Sequence, residues 1–168
     1  MLAEGDPTAA ADALEELVNV VQDATAEFDV TFLSTDIDAG GGKIIIAGGV
    51  PIATGRDEER VLRALRQIAD TPLRLPLEIG VNYGPAFSGD IGAPFRRAYT
   101  VIGDAVNLAA RVMGRAEPGD VLATAGVIDR SDTQFEAAEL PPFTVKGKSE
   151  PVQAWKIGAI SGRRRSDA

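Results

Sequence analysis

The chain has 168 residues, 45% hydrophobic and 25% charged, with a formal net charge of −8. That suffices for one domain with a single core, and it argues against a nucleic-acid binder, whose phosphate contacts need a concentrated basic face. Cysteine and histidine are both absent, which excludes thiol and imidazole catalysis and ordinary zinc sites and leaves hard cations held by carboxylates and carbonyls.

Asp6-Pro7 reads as a helix start, a capping side chain followed by a residue whose fixed φ suits the first turn. Leu14, Leu17, Val18, Val21 and Ala24 then form an apolar stripe that ends near Glu27. Strands are predicted over Val30–Ser34 and Lys43–Ala47, with Asp36–Gly42 turning between them. Asp57 is placed to cap a second helix whose core face is Val61, Leu62, Leu65, Ile68 and Ala69. Leu75–Tyr83 is the next strand, Ala86–Ser88 opens another, and Gly89–Arg97 reads as a polar connection. A third helix opens at Gly103-Asp104 and runs to about Gly114. Short strands follow near Val121–Thr124, Phe135–Leu140, Phe143–Lys146 and Val152–Ile157.

This order predicts an α+β domain, with helices on one face of a mainly antiparallel sheet. Periodicity fades after Ile157, so residues 1–157 read as the domain and residues 158–168, with the basic cluster Arg163–Arg165, as a linker or tail. No apolar run is long enough to span a bilayer and no basic-then-apolar leader opens the chain. A cytoplasmic location without a membrane segment is the expectation.

In the third helix, Val106, Ala109, Ala110 and Met113 recur at core spacing. Asn107 and Arg111 lie four apart and stack on a different face. An amide and a guanidinium aimed together can hold phosphate oxygens. A solvent-facing polar pair on an amphipathic helix has the same spacing, and spacing alone favours that reading.

Tyr99–Arg111 (YTVIGDAVNLAAR) resembles the signature G-[DN]-x-V-N-x-A-x-R of class III adenylyl and guanylyl cyclases, matched at Gly103, Asp104, Val106, Asn107, Ala109 and Arg111. Ile79–Gly89 is similar to that family's [IV]-G-[IV]-x-x-G-x-x-x-x-G strand pair, and Glu117–Leu122 to its A-x-P-G-x-[IV]-L turn. Val145–Lys148 is similar to its KGK-type turn. The resemblance implies the ferredoxin-like class III cyclase fold, ATP or GTP as substrate, and active sites shared across a homodimer or heterodimer. It further implies that Asn107 orients the ribose. Arg111 would offset charge while the ribose 3′-oxygen attacks the α-phosphate and pyrophosphate leaves. Lys146, with Lys148 as second choice, is implied to contact the triphosphate; Thr100 occupies the base-reading position, and Asp104 joins the nucleotide-binding set. A diguanylate cyclase is rejected, because no G-G-[DE]-E-F is present.

The family's reaction uses two metal ions, magnesium or manganese, held by two aspartates. No segment resembling F-x-D-[IL]-x-G-[FS], which carries the first, is found, so the fold's first strand is expected to be missing. Counting back from Pro51 puts Gly42 at the place of the second. Asp36 and Asp38 are the nearest candidate metal ligands, with turn formation as the competing role, and the family's base-contacting lysine falls near Asp38. The chain therefore resembles the metal-free half of a cyclase, expected to be inactive alone and to belong to a longer parent protein. The alternative is a pseudocyclase serving regulation, dimerisation or nucleotide sensing.

Overall fold

The computed structural model describes residues 7–38 and 41–164. Asp6 of the expected cap, Ala39 and Gly40 of the expected turn, and Arg165 of the basic tail lie outside the described residues. The first helix, α1 (Pro7–Glu27), buries Ala13, Leu17, Val21 and Ala24. The second, α2 (Asp57–Asp70), buries Val61, Leu62, Ala64, Leu65 and Ile68. The two stripes meet in one core, as side chains recurring every three or four residues on a helix must. Asp57 does not cap α2. It is the first helical residue, and its carboxylate reaches back to accept from the Thr54 N–H (2.9 Å), the Thr54 hydroxyl (2.8 Å) and the Gly55 N–H (3.2 Å). It thereby fastens the loop before the helix.

Strands β1 (Thr31–Asp38) and β2 (Gly41–Ala47) form an antiparallel hairpin. They run further than the sequence suggested, with Asp36 opposite Lys43 and Ile37 opposite Gly42. Asp36 and Asp38 are therefore strand residues rather than turn formers. Ile and Thr favour the ladder, and an opposite-charge pair across it adds support. By contrast β3 (Ile79–Val81) is shorter than expected, since Pro76 has no N–H to give a ladder. A second hairpin, β4 (Phe87–Ala93) with β5 (Arg96–Ile102), occupies the stretch read as a polar connection. It leaves Phe87, Ile91, Phe95 and Ile102 on the surface, Phe95 being 91% exposed.

The remaining elements are α3 (Asp104–Met113), β6 (Val121–Thr124), α4 (Ala125–Ile128), β7 (Thr133–Glu139) and β8 (Ala154–Arg163). The main sheet has the order β3-β6-β8-β7, with β3 and β6 parallel and the other pairs antiparallel. Strand β8 continues past Ile157 and pairs Arg163 with Thr133, so the start of the expected tail is sheet.

Strand β6 is buried throughout, and alternation divides its side chains between two clusters. Val121 and Ala123 face the core of α1 and α2. Leu122 turns to a second cluster with Val112, Val145, Val152 and Ala154. The helices thus lie on both faces of the sheet, not one. Gly80, between Ile79 and Val81, faces α3. A Cβ at Gly80 would sit 2.2 Å from the Met113 nitrogen and 2.4 Å from the Ala109 carbonyl oxygen. That seat also sets the rotation of α3: Val112 is its buried residue and Leu108 packs beside it. Ala110, expected in the core, is exposed, while Val106 and Met113 are half-buried.

Two outcomes follow. Gly80→Ala should destabilise the domain by about 3 kcal/mol, read as a lower urea midpoint, because backbone on both sides cannot yield. Burial pushes the Asp57 carboxyl up, but the Thr54 hydroxyl, the N–H groups of Thr54 and Gly55, and the charge of Arg60 together hold it below its ordinary value of 3.8. A depressed carboxyl stabilises the fold above its unfolded value and loses that contribution as pH falls through the lower folded one. Asp57→Asn should therefore be less stable than the parent at neutral pH, and the difference should shrink below about pH 4.

Candidate functional site

Val145 to Lys148 form a β-turn: the Lys148 N–H donates to the Val145 carbonyl at 3.0 Å, and Gly147 sits at φ 88°. A type II turn needs that left-handed value at its third residue, which explains the glycine. Val145 is buried against Val112 in the second cluster. Phe143 and Val152 exchange two backbone hydrogen bonds of 3.0 and 2.8 Å. Successive side chains of an extended segment alternate, so an inward Val145 sends Thr144 and Lys146 outward.

There they meet the end of α3. Arg111, Arg115, Phe143, Thr144, Val145 and Lys146 line an open cleft of about 200 Å³. Asn107 and Arg111 are both exposed, one helical turn apart, a rise of about 5.4 Å. Arg115 follows just past the end of α3, its guanidinium over the Phe143 ring at 4.9 Å. Among the described residues, Arg111, Arg115 and Lys146 have no carboxylate within ion-pair distance. Arg56, Arg60, Arg66, Arg74, Arg130, Lys148, Lys156 and Arg164 each have one.

The other sequence-predicted residues fare differently. Lys148 turns from the cleft to Asp104, with Nζ 3.7 Å from Oδ2. Both side chains are substantially exposed, so the pair contributes little to stability. Thr100 lies in β5 opposite Gly89, half-buried, and does not line the cleft. Its neighbour Tyr99 borders a separate recess of about 270 Å³ with Thr31, Phe32, Leu33 and Pro51.

The start of α3 is pinned by Asn82. Its Nδ2 donates to the Ala105 carbonyl at 3.1 Å and its Oδ1 accepts from the Thr124 hydroxyl at 2.8 Å. Asn82, Thr144 and Arg115 were not singled out from sequence. For Arg115 the available signal was its place four residues after Arg111. Asn82 showed nothing beyond a polar residue at a strand end.

On the first hairpin, Asp36 is exposed and faces Lys43 across the ladder, and Asp38 has Gly41 as its backbone partner. Among the described residues, no three acidic, histidine or cysteine side chains cluster to hold a metal. One exposed carboxylate opposite an ammonium group is not a donor set for a pair of divalent cations. The described side chains do not fit the magnesium or manganese ions that the family's reaction uses.

The family described as "Adenylate and Guanylate cyclase catalytic domain" matches residues 3–158. The chain belongs to that family. An uncharacterized protein of Mycobacterium tuberculosis is 34% identical over 125 residues, covering 70% of this chain and 23% of that protein. A second is 30% identical over 138 residues, covering 82% and 35%. The chain thus spans well under half the length of either relative. Among solved structures, the adenylyl cyclase CyaB from P. aeruginosa is similar with a TM-score of 0.73 at 24% identity, over 98% of this chain and 88% of that one. The guanylate cyclase domain of RhGC from Catenaria anguillulae, in complex with GTP, gives 0.79 at 17% identity, over 94% and 88%. These likenesses establish the class III cyclase fold. Among the described residues, no helix is long and apolar enough to cross a membrane.

Asn82→Ala should cost about 1–3 kcal/mol in chemical denaturation, because it strands the Thr124 hydroxyl and the Ala105 carbonyl. Asp104→Ala, which removes an exposed pair, should cost less than about 1 kcal/mol.

Proposed function

We propose that this chain is the metal-free half of a nucleotide cyclase, supplying Asn107, Arg111 and Lys146 to ATP or GTP at an interface with a second cyclase domain. The observation that carries this reading is the meeting of Arg111 and Lys146, remote in sequence, on one cleft with no carboxylate to neutralise either. In this role Lys146 holds the triphosphate and Arg111 offsets charge as the ribose 3′-oxygen bonds to the α-phosphate and pyrophosphate departs. Asn107, one turn earlier, orients the ribose. The divalent ions of the reaction would be held by the partner's carboxylates, since Gly42 stands at this chain's second metal position. Exposed Phe87 and Phe95 on the β4–β5 hairpin support a dimer, with a like or unlike domain. A cytoplasmic setting, where nucleoside triphosphates are supplied, goes with this role.

A second reading, a regulatory or nucleotide-sensing domain without turnover, is favoured by the Asp36–Lys43 pairing on the hairpin that otherwise serves metal and base. Mixing the chain with a metal-competent cyclase domain separates the two. Cyclic nucleotide formation from ATP or GTP, reduced about 100-fold or more by Arg111→Ala in this chain, is the outcome expected of the first. A heterodimer that forms yet makes no product from either nucleotide would favour the second.

A further inference from the structure

We infer that Arg115 is a third phosphate ligand of this cleft, one that holds the terminal phosphates of the bound triphosphate and the pyrophosphate that leaves. The inference rests on the reading of the cleft as a polyphosphate site, and it adds a residue that the family signature does not contain. Three observations carry it.

The first is position. Asn107, Arg111 and Arg115 follow one another along α3 and its end, and Arg115 borders the same cleft as Arg111 and Lys146. With the ribose at Asn107 and the α-phosphate at Arg111, the rest of the triphosphate runs toward Arg115.

The second is presentation. The Arg115 guanidinium lies over the Phe143 ring at 4.9 Å. A cation–π contact draws on the positive charge of the guanidinium and consumes none of its N–H donors. Among the described residues those donors have no acceptor. A guanidinium against a ring, with donors that no protein acceptor uses, is placed to meet phosphate oxygens.

The third is charge. The chain carries a net charge of −8, yet Arg111, Arg115 and Lys146 share one cleft with no carboxylate partner among the described residues. Three unpaired cations around about 200 Å³ make a positive field that a polyanion complements better than a single charge does. A monophosphate would neutralise part of this field. A triphosphate tail or pyrophosphate matches it.

The test is isothermal titration of the full chain in metal-free buffer, with inorganic tripolyphosphate and separately with AMP as probes. Arg115→Ala should weaken tripolyphosphate binding about tenfold while changing AMP binding less than twofold. Arg115→Lys, which keeps the charge but loses the planar fork, should fall between. Arg111→Ala should weaken both probes. Should Arg115→Ala bind tripolyphosphate as tightly as the parent while Arg111→Ala does not, Arg115 is a packing residue for Phe143 and this inference is overturned, with the polyphosphate reading intact. Should the folded parent chain bind no tripolyphosphate, the inference is overturned, while the half-site reading still stands or falls on mixing with a metal-competent domain. Equal weakening of AMP and tripolyphosphate by Arg115→Ala would also overturn it, since a ligand of the terminal phosphates cannot act on a monophosphate.

Discussion

Helix α3 rests its backbone directly on β3 because Gly80 carries no side chain, and the geometry of the cleft depends on that contact. With the helix pressed against the strand, Val112 meets Leu122 from the far face of β6. Val145 and Val152 then close the cluster from the outside, which draws the turn at Gly147 onto the end of α3. Arg111 and Lys146 are thus placed by apolar neighbours rather than by each other. Two cations that repel are held at the rim of one hollow because the side chains beside them are buried together.

The same construction separates the two lysines of the turn. Lys146 follows the buried Val145 and so must point outward, into the cleft. Lys148, beyond the positive-φ glycine, leaves in another direction and reaches Asp104 at the opposite end of the helix. One residue type, repeated two positions apart, therefore borders the cleft in one case and forms a surface pair in the other. Backbone conformation at Gly147 makes the difference, since the turn breaks the alternation that would have put both lysines on one face.

Much of this was legible in the sequence where local chemistry and the tertiary fold agree. The stripes of α1 and α2, the opening of α3, and strand β6 all lie where spacing and turn residues place them. The signature motifs led to the family and to Arg111 and Lys146 on one surface. Less legible were features decided by partners distant in sequence. The rotation of α3 follows from Gly80, some way upstream, so Ala110 fits a core pattern and yet is exposed. The β4–β5 hairpin is rich in Gly and polar residues, and it forms through its own ladder rather than by burying a face. Strand β8 outlasts its apolar pattern because β7 supplies the hydrogen bonds for residues whose side chains remain in solvent. Arg115 shows the same limit: nothing in its sequence neighbourhood announces Phe143, whose ring lies beside it only once the second cluster has formed.

Folding and ligand chemistry make separate demands on this scaffold, and the two hairpins and the cleft show where they part. A ladder needs backbone hydrogen bonds and suitable faces, not carboxylates. Gly42 opposite Ile37 and Lys43 opposite Asp36 satisfy it fully. No acidic residue is needed there for the hairpin to form. The same reasoning applied to the cleft gives the opposite result. Arg111, Arg115 and Lys146 are exposed and unpaired, so they contribute little to folding and repel one another. A fold indifferent to ligands would be better served by neutral residues at all three positions. Grouped cations that folding does not require are therefore better explained by an anion than by architecture, and it is this asymmetry between hairpin and cleft on which the proposed half-site role rests.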